Sequence, residues 1–241
     1  ASAWPEKDGT VTNTNRQVQM GRKAITSPGD TKEDWWIINE LGKRLGLQWN
    51  YNHPKNIYEE MSQAMPSLKN ISWERLDKEN SVTYPCKSAE SNGEEIVFGD
   101  KFPTENGKGK FVYANVISPD EVPDQKYPMI LTTGRQLEHW HTGAMTRKAS
   151  NLNAIEPEAT VSMSPNDIEN KKIKPGELIK ISTKRGSINI RVREDRAIPD
   201  GVIFIPFCYN EAAANILTNP ALDPYGKIPE FKYCAANIEP L

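Results

Sequence analysis

ELIKISTKRGSINIRVREDRAIPDGVIFIPF, from Glu177 to Phe207, is the stretch that decides the fold. Ile179 and Ile181 before the Lys184-Arg185-Gly186 loop, and Ile188, Ile190 and Val192 after it, recur with period two. That spacing predicts a hairpin between Glu177–Thr183 and Ser187–Arg193, entered through the Pro175-Gly176 turn. Asp200-Gly201 then feeds Val202–Phe207, an almost continuous apolar run expected as a central, doubly buried strand. Working outward, Met129–Thr133 and Thr160–Met163 are predicted strands, and Ser164-Pro165 is a cap and first-turn pair that opens a short helix. Asn210–Leu217, rich in alanine, is a predicted helix. Short strands joined by sharp turns, with small helices at the corners, predict a closed, mixed β-barrel.

Just after the first of these strands comes TGRQLEHWHTGAMTR, Thr133–Arg147, which holds two glycines, two arginines, three threonines and two histidines around a tryptophan. Glycine admits close backbone approach to a ligand. Arginines and successive N–H groups suit a phosphate or pyrophosphate, and Trp140 and the imidazoles offer flat faces and ring-edge hydrogen bonds to a heteroaromatic ring. The composition asks for an anionic, nucleotide-like ligand. His139 and His141 would share one face of an extended chain, but His53 is the only other histidine and no acidic cluster supports it, so no metal site is assigned.

Thirty basic against 32 acidic residues give a net charge of −2 over 241 residues. Such a chain has no polybasic field for nucleic acid or an anionic membrane, and no apolar run approaches a membrane span. Cys86, Cys208 and Cys234 are far apart with no CxxC pair. They hold no cluster by themselves, and a sparse, odd count fits a reducing compartment, making the cytoplasm the expected location and buried, inert thiols the expected role. Glu138, Glu211 and Glu230 lie in different elements, so they form no acid/base pair and no catalytic residue is assigned.

Toward the N-terminus, Trp35, Ile38, Leu41 and Leu45 recur at helical spacing, and Asp30 with Glu33 reads as a capping box, predicting a helix from Asp30 to Gly46 that needs a partner surface. A helix near Ile57–Ala64 and strands near Ile96–Phe98 and Phe111–Ala114 are expected inside an otherwise irregular connector. The resulting division is 1–49, 50–125 and 126–241. The chain opens at Ala1 in what reads as the middle of a loop, with the expectation of a piece of a longer polypeptide.

Three separate segments carry a resemblance: TTGRQLEHWHTGAMTR (Thr132–Arg147), FIPFCYNEAAAN (Phe204–Asn215) and LTNPALDPYGKIPEFKYCA (Leu217–Ala235). Together they resemble the C-terminal part of molybdopterin oxidoreductases, and above all of formate dehydrogenase alpha subunits. EKDGTVTNTNRQVQ (Glu6–Gln19) resembles the family loop E-x-x-G-T-x-x-N-x-E-x-R-x-Q, with Asn15 where that pattern has Glu. The resemblance implies an α/β and β fold, in which the tail of an α/β domain (1–49) precedes a double-psi β-barrel of the molybdopterin dinucleotide-binding type (126–241). Carried over by position, it implies that Thr133, Gly134, Arg135, Gln136, Leu137, Glu138, His139, Trp140, His141, Thr142, Asn215 and Lys232 contact the cofactor, and that Phe207 lies near the substrate channel. Other roles stay open beside these: a Gly134-Arg135 turn with a surface salt bridge, a structural histidine, Trp140 as a core aromatic, Asn215 as a plain polar helix residue, Lys232 as a solvated lysine.

The implied cofactor is bis-molybdopterin guanine dinucleotide carrying molybdenum or tungsten. The family's 4Fe-4S motif, its Cys or selenocysteine metal ligand and the flanking His and Arg match nothing here. The implied parent oxidises formate to carbon dioxide and passes electrons through iron-sulfur clusters to electron-transfer subunits. The N-terminal domains of the same polypeptide are then the expected partners of this chain, which by itself is expected to be inactive. Two alternatives keep other outcomes in view, the equivalent part of a periplasmic-type nitrate reductase and a non-catalytic barrel that binds a nucleotide or a protein.

Overall fold

The computed structural model describes residues 1–241, which form two compact units, Ala1–Val112 and Tyr113–Leu241. No helix is long and apolar enough to cross a membrane.

In the first unit β1 (Gly9–Thr12) and β2 (Gln17–Gly21) form an antiparallel hairpin. Helices α1 (Asp34–Arg44), α2 (Pro54–Ala64) and α3 (Trp73–Glu79) follow, and β3 (Ser81–Thr83) pairs with β2. The hairpin places the family-like Glu6–Gln19 segment. Arg16 turns at φ 65 and donates to the carbonyls of Tyr84 and Glu95, while Asn15 donates to the Gln17 side chain. Helix α1 begins later than expected. Pro28-Gly29 makes a turn with Gly29 at φ 55, so Asp30 caps nothing, and Glu33, the residue before the helix, gives its carboxylate to the Trp35 indole instead. Ile38, Leu41 and Leu45 of the helical stripe remain exposed.

The middle of the chain is less irregular than the expected connector. His53 and Ser72 cap α2 and α3 by accepting from Lys55 and Arg75 N–H groups. These helices enclose a core of Val18, Tyr58, Leu68, Ile71, Leu76, Val82 and Cys86 with the small sheet. Arg75 was the signal missing from the pattern: its guanidinium donates to Asn70, Ser88 and Ser91 carbonyls and to the Cys86 thiol, ordering a polar stretch that carries no periodicity. The strands expected at Ile96–Phe98 and Phe111–Ala114 do not form. No partner strand lies beside them, and Phe98 turns at φ 58.

Tyr58 donates from its hydroxyl to the Ile71 carbonyl at 2.6 Å, and burial pushes its pKa up to about 12. Tyr58→Phe leaves that buried carbonyl unpaired, with an expected loss of about 1–3 kcal/mol. Thermal unfolding of the two proteins side by side measures it.

The second unit is a closed six-stranded barrel in the order β4-β8-β5-β7-β6-β9. Its strands are β4 (Met129–Gly134), β5 (Thr160–Met163), β6 (Leu178–Ser182), β7 (Ser187–Glu194), β8 (Val202–Pro206) and β9 (Cys234–Pro240). Short helices α4 (Ser150–Ile155) and α5 (Pro165–Asn170) sit at its corners, with Ser164 capping α5 by accepting from Asp167 N–H. Pairs β4/β8 and β5/β7 are parallel and the other four antiparallel, the mixed closure expected from sequence. In the hairpin Ile179 pairs with Ile190 and Ile181 with Ile188.

Two details differ. Strand β8 buries Ile203 and Ile205 completely but leaves Val202 and Phe204 half-buried, because a barrel strand has one inner face and the corner helices cover the outer one only in part. Asn210–Leu217 is not a helix but two 3-10 turns, Asn210–Ala212 and Ala214–Ile216, interrupted by Ala213 in extended geometry (ψ 106). Strand β9 was not foreseen. Its alternation is masked by Cys234, Ala235 and Ala236, all buried.

One buried charge holds the barrel to the segment before it. Glu121, 8% exposed, accepts from the Ala235 N–H at 2.7 Å and from both terminal nitrogens of Arg185, which also donates to the Leu217 carbonyl.

Candidate cofactor-binding loop

Strand β4 ends at Gly134, and the chain leaves the barrel as a loop that returns through a 3-10 turn at Thr146–Lys148 into α4. The loop has an outer and an inner set of side chains. Arg135, Leu137, Trp140, His141 and Thr142 are exposed, whereas Thr133, Gly134, His139 and Gly143 are buried.

The outer set is arranged in pairs. Arg135 makes no surface salt bridge; its guanidinium lies 5.4 Å from the Trp140 ring centroid, a cation-π pair. Trp140 is 61% exposed and therefore not a core aromatic. His141, at φ 51, sets its ring edge against Phe207 with centroids 5.3 Å apart. Gln136 donates to the Glu138 carboxylate at 2.7 Å. Lys232 comes to the same strand end from the other side, donating to the Thr133 carbonyl at 3.1 Å, while the Thr133 hydroxyl donates to the Phe231 carbonyl. Asn215 stands apart: it is exposed on the second 3-10 turn, its carbonyl accepts from Thr218, and no hydrogen bond or ring contact joins it to the loop.

The inner set anchors the loop. His139 is 1% exposed, packs edge-on against Tyr209 at 5.6 Å, and shares the Glu156 carbonyl with the Tyr209 hydroxyl through Nε2 at 2.8 Å. Its Nδ1 is buried without a protein partner. Burial holds Tyr209 far above the ordinary phenol range, so its hydroxyl is a permanent donor. The positive φ at His141 turns the chain between the two histidines, so one is buried and the other exposed, and no group of three or more metal-ligating side chains forms. Glu138, Glu211 and Glu230 each have separate partners in Gln136, Arg147 and Asn219. Cys208 and Cys234 are buried and burial raises both thiols, keeping them protonated.

The two glycines of the loop are both closely packed, but for different reasons. A Cβ on Gly134 would lie 2.5 Å from the Phe204 ring, so the bare backbone makes room for that aromatic. Gly143 sits at φ 72, and a Cβ there would meet Cys208 O at 2.8 Å and Arg147 Cγ at 2.6 Å. Sequence reasoning marked Gly134 for close approach to a ligand; its neighbour in the structure is a phenyl ring. Tyr209 and Glu156 carry no local spacing that reveals them, and Arg147, which the composition of the loop marks for a phosphate, turns inward instead onto Tyr209, Asn153 and Glu211.

The donor set fits an anionic heteroaromatic dinucleotide. Two cations, Arg135 and Lys232, an exposed indole face and an exposed imidazole are gathered at one strand end, and the same loop holds a buried imidazole nitrogen, Nδ1 of His139, without a protein partner.

Comparisons with known proteins identify the family of the chain. Residues 129–235 match the family model of the Molydopterin dinucleotide binding domain, and residues 1–44 match that of Molybdopterin oxidoreductase. The chain is 43% identical over 241 residues to the F420-dependent formate dehydrogenase subunit alpha of Methanocaldococcus jannaschii, covering 99% of this chain and 36% of that protein. It is 33% identical to a putative formate dehydrogenase of Bacillus subtilis, covering 98% of this chain and 24% of that one. The chain thus spans about a third or less of the length of these relatives. Acetylene hydratase from Pelobacter acetylenicus shares the fold with a TM-score of 0.73 at 18% identity, covering all of this chain and 37% of that one.

Proposed function

This chain belongs to the molybdopterin oxidoreductases, and from that premise we propose that its barrel holds the guanine dinucleotide end of a bis-molybdopterin cofactor within a formate dehydrogenase. The observation that carries the reading is the loop itself: the cationic and aromatic groups exposed at the end of β4 all fall inside the 129–235 segment that matches the dinucleotide-binding family. Arg135 and Lys232 would offset pyrophosphate charge, Trp140 and His141 would face the heterocycles, and Gln136 and Thr142 would add hydrogen bonds. Asn215 would meet the ligand from the second 3-10 turn, and Phe207, held by His141, would wall the substrate side. Bound there, the metal-dithiolene group would supply the redox chemistry, while the chain's residues bind, orient and charge-match it.

For the whole enzyme we propose oxidation of formate to carbon dioxide, with electrons leaving through an iron-sulfur cluster carried, like the metal ligand, outside this chain. Relatives named as formate dehydrogenases support this at 43%, 40% and 33% identity. The F420 dependence in the names of the Methanocaldococcus jannaschii and Methanococcus maripaludis proteins makes F420 the electron acceptor to test first. We further propose that the N-terminal domains and electron-transfer subunits are its partners and that the complex works in the cytoplasm.

Calorimetry of the purified chain with GDP, a fragment of the cofactor, tests the binding role. The expected result is weak binding, on the order of millimolar, because one domain supplies part of a pocket and still bears the cost of association. Arg135→Ala and Lys232→Ala each weaken it, and formate with an artificial electron acceptor gives no turnover. Absence of any GDP binding, or binding indifferent to both substitutions, overturns the assignment.

A further inference from the structure

The loop that carries the proposed cofactor contacts is fastened at two points, His139 and Arg147, and both grip the same residue. His139 meets the edge of Tyr209 and the Arg147 guanidinium lies 4.6 Å over its face. Arg147 is further held on every side. Its Nε donates to Asn153 Oδ1 at 2.9 Å, one terminal nitrogen donates to the Glu211 carboxylate at 2.8 and 3.1 Å, and the other reaches the Pro157 carbonyl at 3.3 Å. Glu156, whose carbonyl receives His139 and Tyr209, is tied through its carboxylate to Arg193 of β7 at 2.6 Å.

Backbone hydrogen bonds carry the position of Arg147 outward. Arg147 N–H donates to the Gly143 carbonyl at 3.0 Å, Gly143 N–H donates to the Trp140 carbonyl at 2.9 Å, and Trp140 N–H donates to the Thr146 hydroxyl at 2.9 Å. The turn over Trp140–Gly143 therefore hangs from Arg147 itself, whose side chain fixes it in place, and only glycine fits between Arg147 and the Cys208 carbonyl.

We propose that Arg147 is the positioning residue of this loop: stacked on Tyr209 and bound at once to Asn153, Glu211 and Pro157, it sets where Trp140, His141 and Thr142 stand for the ligand. The proposal rests on the cofactor-binding reading for its purpose, but its geometry belongs to the chain alone. A planar guanidinium is needed, since one group must stack and donate in three directions within its plane. Lysine reproduces the charge and neither the plane nor the fork.

Hydrogen exchange resolved by peptide, together with GDP calorimetry, tests it on the full chain and on Arg147→Met and Arg147→Lys. In Arg147→Met the amides of residues 139–146 are expected to exchange about tenfold faster or more, with β6 and β7 unchanged and GDP affinity about tenfold weaker. Arg147→Lys, which keeps the pair with Glu211, restores part of the affinity. Unchanged loop exchange in a folded Arg147→Met chain overturns the proposal, as does faster exchange spread evenly over the barrel, which marks a general stabiliser. Should Arg147→Met fail to fold, Arg147→Lys carries the comparison, since it loses the stack and the fork but keeps the charge: faster exchange confined to residues 139–146 supports the proposal and unchanged exchange overturns it. A wild-type chain that binds no GDP overturns the cofactor reading instead, while the exchange pattern still decides whether Arg147 places the loop.

Discussion

Glu121→Ala is expected to lower the stability of the barrel unit by about 3–5 kcal/mol, because it leaves the buried Ala235 N–H without an acceptor and the half-buried Arg185 guanidinium without its countercharge. For a unit of this size that is a fall of about 10–20 °C in melting temperature. Differential scanning calorimetry reads it directly, and the double variant Glu121→Ala/Arg185→Met is expected to lose less than the sum of the two singles. Additive losses show that the two side chains act independently. The same carboxylate gives a pH signature. Burial opposes its ionisation, but hydrogen bonds from Arg185 and Ala235 and the charges of Arg185 and Lys184 outweigh that, so its pKa lies below the ordinary value. A group depressed in the folded state contributes stability that is fully present above its unfolded pKa, near 4.3, and is lost as pH falls through its folded one. Wild type therefore loses more stability than Glu121→Ala on acidification below that value, and parallel curves for the two proteins count against the clasp.

Gly143→Ala has the second large expected effect, on the ligand rather than the fold. An alanine at φ 72, with its Cβ 2.8 Å from the Cys208 carbonyl, carries about 1–3 kcal/mol of strain. The turn relieves it by moving, which displaces Trp140 and His141 and is expected to weaken GDP binding by about tenfold or more. Gly176→Ala is the control. Gly176 has the same backbone sign, φ 83, and open space around it, so its substitution costs stability without changing affinity. If both variants bind GDP like wild type, the turn does not set the site.

How much of this could be read from the chain follows from how local each signal is. The β6–β7 hairpin was legible because Ile179, Ile181, Ile188 and Ile190 alternate, and alternation is a property of neighbours in sequence. The loop was legible because its unusual residues are contiguous from Thr133 to Arg147. Strand β9 was not, since three small buried residues begin it and hide its period. Glu121 was not legible either: its partners are 64 and 114 positions away, and a glutamate among prolines and aspartates looks like any solvated one. Arg75 hid the order of residues 70–91 in the same way, by satisfying carbonyls that no repeat announces. The apparent helix at Asn210–Leu217 shows the opposite error, in which alanine propensity lost to the need to bring Tyr209 and Glu211 under Arg147.

The seam of the barrel has a bearing on how the molecule comes into being. β4, the first barrel strand in sequence, pairs with β9, the last, and β9 also pairs with β6. Until β9 arrives, β4 and β6 each offer an open row of backbone donors and acceptors, the kind of edge that recruits other chains. Because synthesis runs from one end to the other, that exposure lasts through most of the unit's translation, and closure waits on a pairing between distant parts of the chain, which is slow. The loop rooted at Gly134 of β4 takes its base from β8, through the Thr133–Ile205 and Gly134–Pro206 pairs, whereas β9 closes the far end of β4 at Met129–Leu131, so a nascent chain can seat its ligand-facing residues before the barrel beneath them is shut.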